Sequence, residues 1–150
     1  MPHTLKYALN TKRSVIGHVL LCRGCCCGET SRDKPEVPVQ WIKEQWKSRG
    51  LLKTVQLSIS GCLGPCDLSN VVAVHGASDH LWLGNFHEFQ QYSDLLEWAE
   101  QCRSAGHLLP LPAQFDQFRF DPFRASMAGC RSPSELSTYC RSRSRGASRD

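Results

Sequence analysis

Nine cysteines are spread unevenly over this 150-residue chain. Cys22, Cys25, Cys26 and Cys27 fall within the run "CRGCCCGET", and Cys62 and Cys66 bracket the three residues of "GCLGPC". Adjacent thiols in odd number suit a disulfide framework poorly, and in a reducing compartment such groups more often hold metal or do redox work. Soft thiolates select zinc, copper(I) or iron-sulfur clusters, and four of them complete a tetrahedral zinc site or a 2Fe-2S cluster. A single zinc is served by close pairs such as Cys22 with Cys25, alongside Cys62 and Cys66. A two-iron rhomb accepts a longer gap between its ligands. Gly64 and Pro65 let a tight loop turn Cys62 and Cys66 toward one centre.

The elements around these thiols must bring them together. "SVIGHVLLC" is apolar nearly throughout and reads as a strand buried on both faces. "EVPVQWIKEQWKSRG" starts at prolines, stops at Gly50 and spaces Val39, Ile42 and Trp46 as a helix does. "KTVQLSISGC" alternates Val55, Leu57 and Ile59 inward with polar residues outward, which predicts a half-buried strand. "NVVAVHG" and "HLWLGNF", joined by "GASD", predict a hairpin. "HEFQQYSDLLEWAEQCRSAG" carries Phe89, Tyr92, Leu96 and Ala99 on one stripe and ends at Gly106, a second amphipathic helix. A parallel strand pair linked by a helix, then an antiparallel hairpin and a helix, gives an α/β (α+β) fold of thioredoxin-like order, a mixed four-stranded sheet with helices packed on it. Parallel neighbours end at the same sheet edge, so Cys22 and the Cys62–Cys66 loop meet there.

Around that unit, residues 1–13 form a polar lead-in and 14–106 the domain. Residues 107–123 are a Pro/Phe-rich extended strap with Phe115, Phe118, Phe120 and Phe123 as anchors, and 124–150 a Ser/Arg-rich tail expected to be disordered. The net charge of +4 resides in that tail, where six arginines stand against Glu135 and Asp150, and residues 1–123 are neutral. The body therefore has no charge excess with which to follow a phosphate backbone, so no nucleic acid is expected. No run approaches the roughly 18 apolar residues of a membrane span. Gly17 and His18 interrupt the apolar N-terminal stretch before any cleavage site, so it reads as a strand in a cytoplasmic protein and not as a signal peptide.

Counted from Cys22, the spacing C-x4-C-x34-C-x3-C, with "CLGPC" as its second half, resembles the thioredoxin-like 2Fe-2S ferredoxins. It is particularly similar to the small iron-sulfur subunit of respiratory NADH dehydrogenase. The resemblance covers about residues 15–106. It implies a 2Fe-2S cluster held by Cys22, Cys27, Cys62 and Cys66, which carries single electrons to or within a redox protein partner; such a chain is a carrier and not by itself a catalyst. A role in a cofactor or metallocentre pathway and a homodimeric assembly are compatible with it, though no residue argues for either. The chain departs from the family in its extra thiols. Cys25, Cys26 and Cys27 compete for the second ligand position, adjacent side chains point in different directions, and Cys25 or Cys26 stands as an alternative to Cys27.

Other readings compete with the cluster. A structural zinc or metal-handling module without redox activity uses the same thiols. A thiol-disulfide enzyme needs its C-x-x-C at a helix N-terminus, where the dipole lowers the thiol pKa, and here the expected helix begins more than ten residues after "CRGC". Cys102 falls on the apolar side of the last helix and reads as core, while Cys130 and Cys140 lie in the tail. His75, His80 and His87 read as surface residues, and Trp41, Trp46, Trp82 and Trp98 as packing. The amides of Gly24, Gly28, Gly61 and Gly64 are candidates to donate to cluster sulfurs.

Overall fold

The structure is a computed structural model and describes residues 9–124. Residues 1–8 of the lead-in and the tail beyond Arg124, with Cys130 and Cys140, lie outside the described residues. Strand β1 (Gly17–Cys22), helix α1 (Val39–Ser48), strand β2 (Val55–Ser60), strands β3 (Val72–Gly76) and β4 (His80–Leu83), helix α2 (Phe89–Ala105) and a short strand β5 (Arg119–Phe120) follow in that order. The sheet order is β2-β1-β3-β4-β5, with β1 parallel to β2 and the other neighbouring pairs antiparallel. This is the thioredoxin-like arrangement, with the four expected strands extended by a fifth of two residues from the strap.

Both helices cover one face of the sheet. Val19, Leu21, Val55, Leu57, Val72 and Val74 meet Ile42 and Trp46 from α1 and Tyr92, Leu95, Leu96 and Trp98 from α2 in one core. The opposite face carries His18, Leu20, Ser58, His75 and Trp82, all half-buried. The apolar run in β1 thus serves one fully buried face and one half-buried face, not the two buried faces it suggests. Trp46 fixes α1 to β2 by donating its indole N–H to Val55 O at 2.7 Å.

Helix α1 begins after Pro38 and gives way to Gly50 in the left-handed conformation. Helix α2 opens with a reciprocal capping box between Glu88 and Gln91 and closes at Gly106, φ 77°, so orphan backbone groups at both ends find partners. Phe89, expected on the buried stripe, is 53% exposed. It is the first residue of the helix, with its ring 4.4 Å from that of Trp41. Cys102 is fully buried and accepts the Leu109 N–H at 3.2 Å, which gives this thiol a packing role.

Residues 107–123 are not extended throughout, since Ala113–Phe118 forms a 3-10 helix. Leu111 and Phe115 are buried, and Phe115 stacks on Phe86 at 6.0 Å. Phe118 and Phe120 are partly buried, whereas Phe123 is 60% exposed. Trp98 donates to Leu109 O and Pro110 O, tying the segment to α2. Gly17 makes room for it, because a Cβ there would meet Leu108 Cδ1 at 2.5 Å.

One row across the sheet is titratable. His18 lies between Gln56 on β2 and His75 on β3, and His75 faces His80 on β4. His18 Nε2 is 2.7 Å from Ser58 Oγ. Burial, and then the neighbouring His75, lower the His18 pKa below its ordinary 6.5. The folded chain therefore binds this proton more weakly than the unfolded chain does. The contribution to stability is fully present above pH 6.5 and is lost as the pH falls from there through the depressed folded-state value. Urea denaturation between about pH 7.5 and about pH 5.5 should show stability falling toward acid, and His18→Gln should flatten that slope.

Candidate metal centre

The parallel register Cys22↔Ser60 ends β1 and β2 side by side, so two loops distant in sequence leave the same edge. In the first loop Arg23 N–H donates to Ser60 O at 3.1 Å, and Gly24 N–H donates to Cys27 O at 2.9 Å. These bonds make residues 24–27 a tight turn with Cys25 at φ 56°. Cys22 and Cys27 stand at the base of the turn, 3% and 1% exposed, while Cys25 and Cys26 occupy its tip, exposed and half-buried. The three consecutive thiols are thereby separated in depth.

In the second loop Gly64 precedes Pro65, and Cys66–Leu68 forms a single 3-10 turn. Cys62 Sγ and Cys66 Sγ lie 3.4 Å apart near the surface. The Cys27 thiol hydrogen-bonds Cys22 and feels Cys62, so the two loops share one electrostatic environment. The sulfurs of Cys25, Cys26 and Cys66 lie within 4.8 Å of one another. The four thiols predicted from spacing and the two offered as alternatives therefore adjoin at one edge, with Cys22 and Cys27 beneath and the other four outside.

Burial pushes the Cys27 thiol up to about 12, reinforced by its bond to Cys22. The hydrogen bond with Cys62 pushes Cys66 up to about 12, with burial second. Both thiols hold their protons near pH 7, so a metal must displace those protons to bind. Leu63, Trp82 and Phe120 pack against Cys22, Cys27 and Val71. Water is thus kept from the inner pair, while Cys62 remains exposed.

Two residues that the sequence reading passed over hold the loops in place. Val71 N–H donates to Cys27 Sγ at 3.4 Å, and Val71 O accepts from Cys22 N–H at 3.1 Å. Asn70 is fully buried. Its Oδ1 accepts from Gly28 N–H at 2.8 Å, and its Nδ2 donates to Pro35 O at 2.9 Å and to Phe86 O at 3.1 Å. Gly24 and Gly28 N–H groups are thus spent on Cys27 O and Asn70, whereas the Val71 amide reaches the Cys27 sulfur. Gly28 is itself required, with φ 71° and an added Cβ 2.9 Å from Arg23 Cδ. His75, His80 and His87 do not join the thiols. His75 and His80 pair with each other on the sheet, and His87 Nε2 lies 3.1 Å from Ser69 O.

No protein-family profile and no curated protein sequence matches the chain. Among solved structures, the chain is similar to the wild-type thioredoxin-like [2Fe-2S] ferredoxin from Aquifex aeolicus at 22% identity and a TM-score of 0.45, over 72% of this chain and 99% of that one. A second structure of a thioredoxin-like [2Fe-2S] ferredoxin from the same organism aligns at 17% identity and a TM-score of 0.42, over 75% of this chain and 96% of that one.

Asn70→Leu keeps the volume but leaves the buried Gly28 amide and the Pro35 carbonyl without their partner, and leaves Phe86 O with only the Tyr92 O–H at 3.5 Å. Urea denaturation should show a loss of about 3 kcal/mol or more. A loss below about 1 kcal/mol would mean that the loops hold themselves.

Proposed function

We propose that the chain binds a 2Fe-2S cluster through Cys22, Cys27, Cys62 and Cys66 and carries single electrons to a redox protein partner. The observation that carries this reading is the split of the thiols by depth. A buried pair, Cys22 and Cys27, adjoins an outer pair, Cys62 and Cys66, across the edge where two parallel strands end. Four sulfurs arranged inner to outer suit a two-iron rhomb better than a single ion, and the donor set is entirely soft thiolate. When bound, such a cluster takes up and releases one electron.

The remaining work belongs to the chain. Val71 N–H donates to Cys27 Sγ and stabilises negative charge on that sulfur. Leu63, Trp82 and Phe120 exclude water from the inner side. Exposure of Cys62 leaves the outer side within reach of a partner. Seven free cysteines among the described residues favour a reducing compartment, the cytoplasm in this proposal. No helix among the described residues is long and apolar enough to cross a membrane. Kinship with the small iron-sulfur subunit of NADH dehydrogenase belongs to the same proposal, supported by the C-x4-C-x34-C-x3-C spacing, and it would make the chain a carrier working against a larger redox enzyme.

One observation favours a second reading. The proximity of Cys25, Cys26 and Cys66, with Cys62 beside Cys66, suits a zinc ion held at the surface without redox activity. Anaerobic purification separates the two. The cluster reading expects a brown protein with acid-labile sulfide and a rhombic electron paramagnetic resonance signal on reduction. Cluster content should collapse in Cys27→Ser and persist in Cys25→Ser. A colourless protein with stoichiometric zinc, indifferent to Cys27→Ser and depleted by Cys25→Ser, would establish the zinc reading instead.

A further inference from the structure

The outer face of the cysteine loop forms one wall of a cleft of about 520 Å³, whose other wall is the end of the strap. Leu63 and Pro65, from between Cys62 and Cys66, face Trp82, Phe120 and Phe123 across it. The three aromatic rings form a set: Trp82 lies 6.1 Å from Phe120 at 67° and 6.1 Å from Phe123 at 90°. Among the described residues, the charged ones in the lining are Asp67 and Asp121. Asp67 is exposed, on the turn that begins at Cys66. The buried indole N–H of Trp82 has no hydrogen-bond acceptor among the described residues.

Each feature asks for the same occupant. Aromatic faces attract a cation through their quadrupoles, and a planar guanidinium also stacks on them. A carboxylate at the mouth receives the guanidinium fork, which an ammonium cannot match bidentately. The body of the chain is neutral, so the acidic cleft is a local feature and not part of a general field.

We propose that this cleft is a docking site for an arginine side chain on a protein partner. The guanidinium lies among Trp82, Phe120 and Phe123 with Asp67 as its counter-charge. That the partner is a redox protein rests on the electron-carrier reading; the chemistry of the cleft does not. Docking here would set the partner against the loop that bears Cys62 and Cys66.

The test uses the full chain as purified, labelled with 5-fluorotryptophan. Four fluorine signals are expected from its four tryptophans, and Trp82→Phe assigns the one that matters. The probe is acetyl-Ala-Arg-Ala-amide, compared with the same peptide carrying citrulline, the neutral isostere of arginine. The arginine peptide should shift the Trp82 signal saturably and leave the other three in place. The citrulline peptide should bind about tenfold more weakly, and Asp67→Asn and Phe123→Ala should each weaken the arginine peptide several-fold. Equal response to both peptides, equal movement of all four signals, or no response up to tens of millimolar would overturn the proposal. So would a Trp82 signal that ignores the peptide and moves when Arg141, Arg143 and Arg145 are replaced by Gln in the full chain, because the occupant would then be the chain's own C-terminal segment. The signal is read whatever the cysteines hold, so failure here and failure of the cluster reading are told apart.

Discussion

The site depends on one buried amide. The Asn70 side chain spans the first cysteine loop at Gly28, the approach to α1 at Pro35 and the approach to α2 at Phe86. Its backbone carbonyl accepts the Phe86 N–H as well. Loops cannot be buried unless their polar groups are paired, and three loops meet here with little regular structure to pair them. A single primary amide supplies both the acceptor and the donors. With Gly28 held, Cys27 must turn inward beside Cys22, and the adjacent Val71 N–H is in place to meet its sulfur.

That constraint also sorts the six thiols. Cys25, Cys26 and Cys27 are equivalent in chemistry and neighbours in sequence, yet the turn closed by Gly24 and Cys27 sends only Cys27 into the interior. Backbone geometry therefore decides which thiol is shielded, and shielding decides what each can do. Buried thiols resist solvent oxidants, while exposed ones exchange ligands readily. The tip thiols near Cys66 form an outer shelf whose chemistry is distinct from that of the inner pair.

The sheet divides its labour in the same way. One face takes both helices and the strap's Phe115, and it supplies most of the core. The other is half-buried, with the histidine row His18, His75 and His80 at one end and Trp82 beside the cysteine edge. Trp82 belongs to two environments at once: it packs on the Cys22, Cys27 and Val71 group and lines the cleft beyond it. Phe120 does the same from β5, so the short fifth strand couples the end of the strap to the site.

Much of this was legible in the residues. The period of β2, the proline start of α1, the glycine stops of both helices and the hairpin follow from local chemistry, and the parallel pairing they imply already brings Cys22 to the Cys62–Cys66 loop. The spacing of Cys22, Cys27, Cys62 and Cys66 is itself a property of the sequence. Other features depend on partners remote in the chain and left no local pattern. Asn70 sits in an apolar run and looks like a turn residue until Gly28, Pro35 and Phe86 surround it. Phe89 has the right helical phase to be buried, yet as the first residue of α2 it is exposed, with its ring against that of Trp41. β5 is too short to announce itself and exists because β4 offers an edge. The sequence by itself determined which thiols can reach one edge, because strand order and direction follow from periodicity and loop length. Only the tertiary structure decided which of them are buried, because depth is set by contacts among loops that no periodicity encodes.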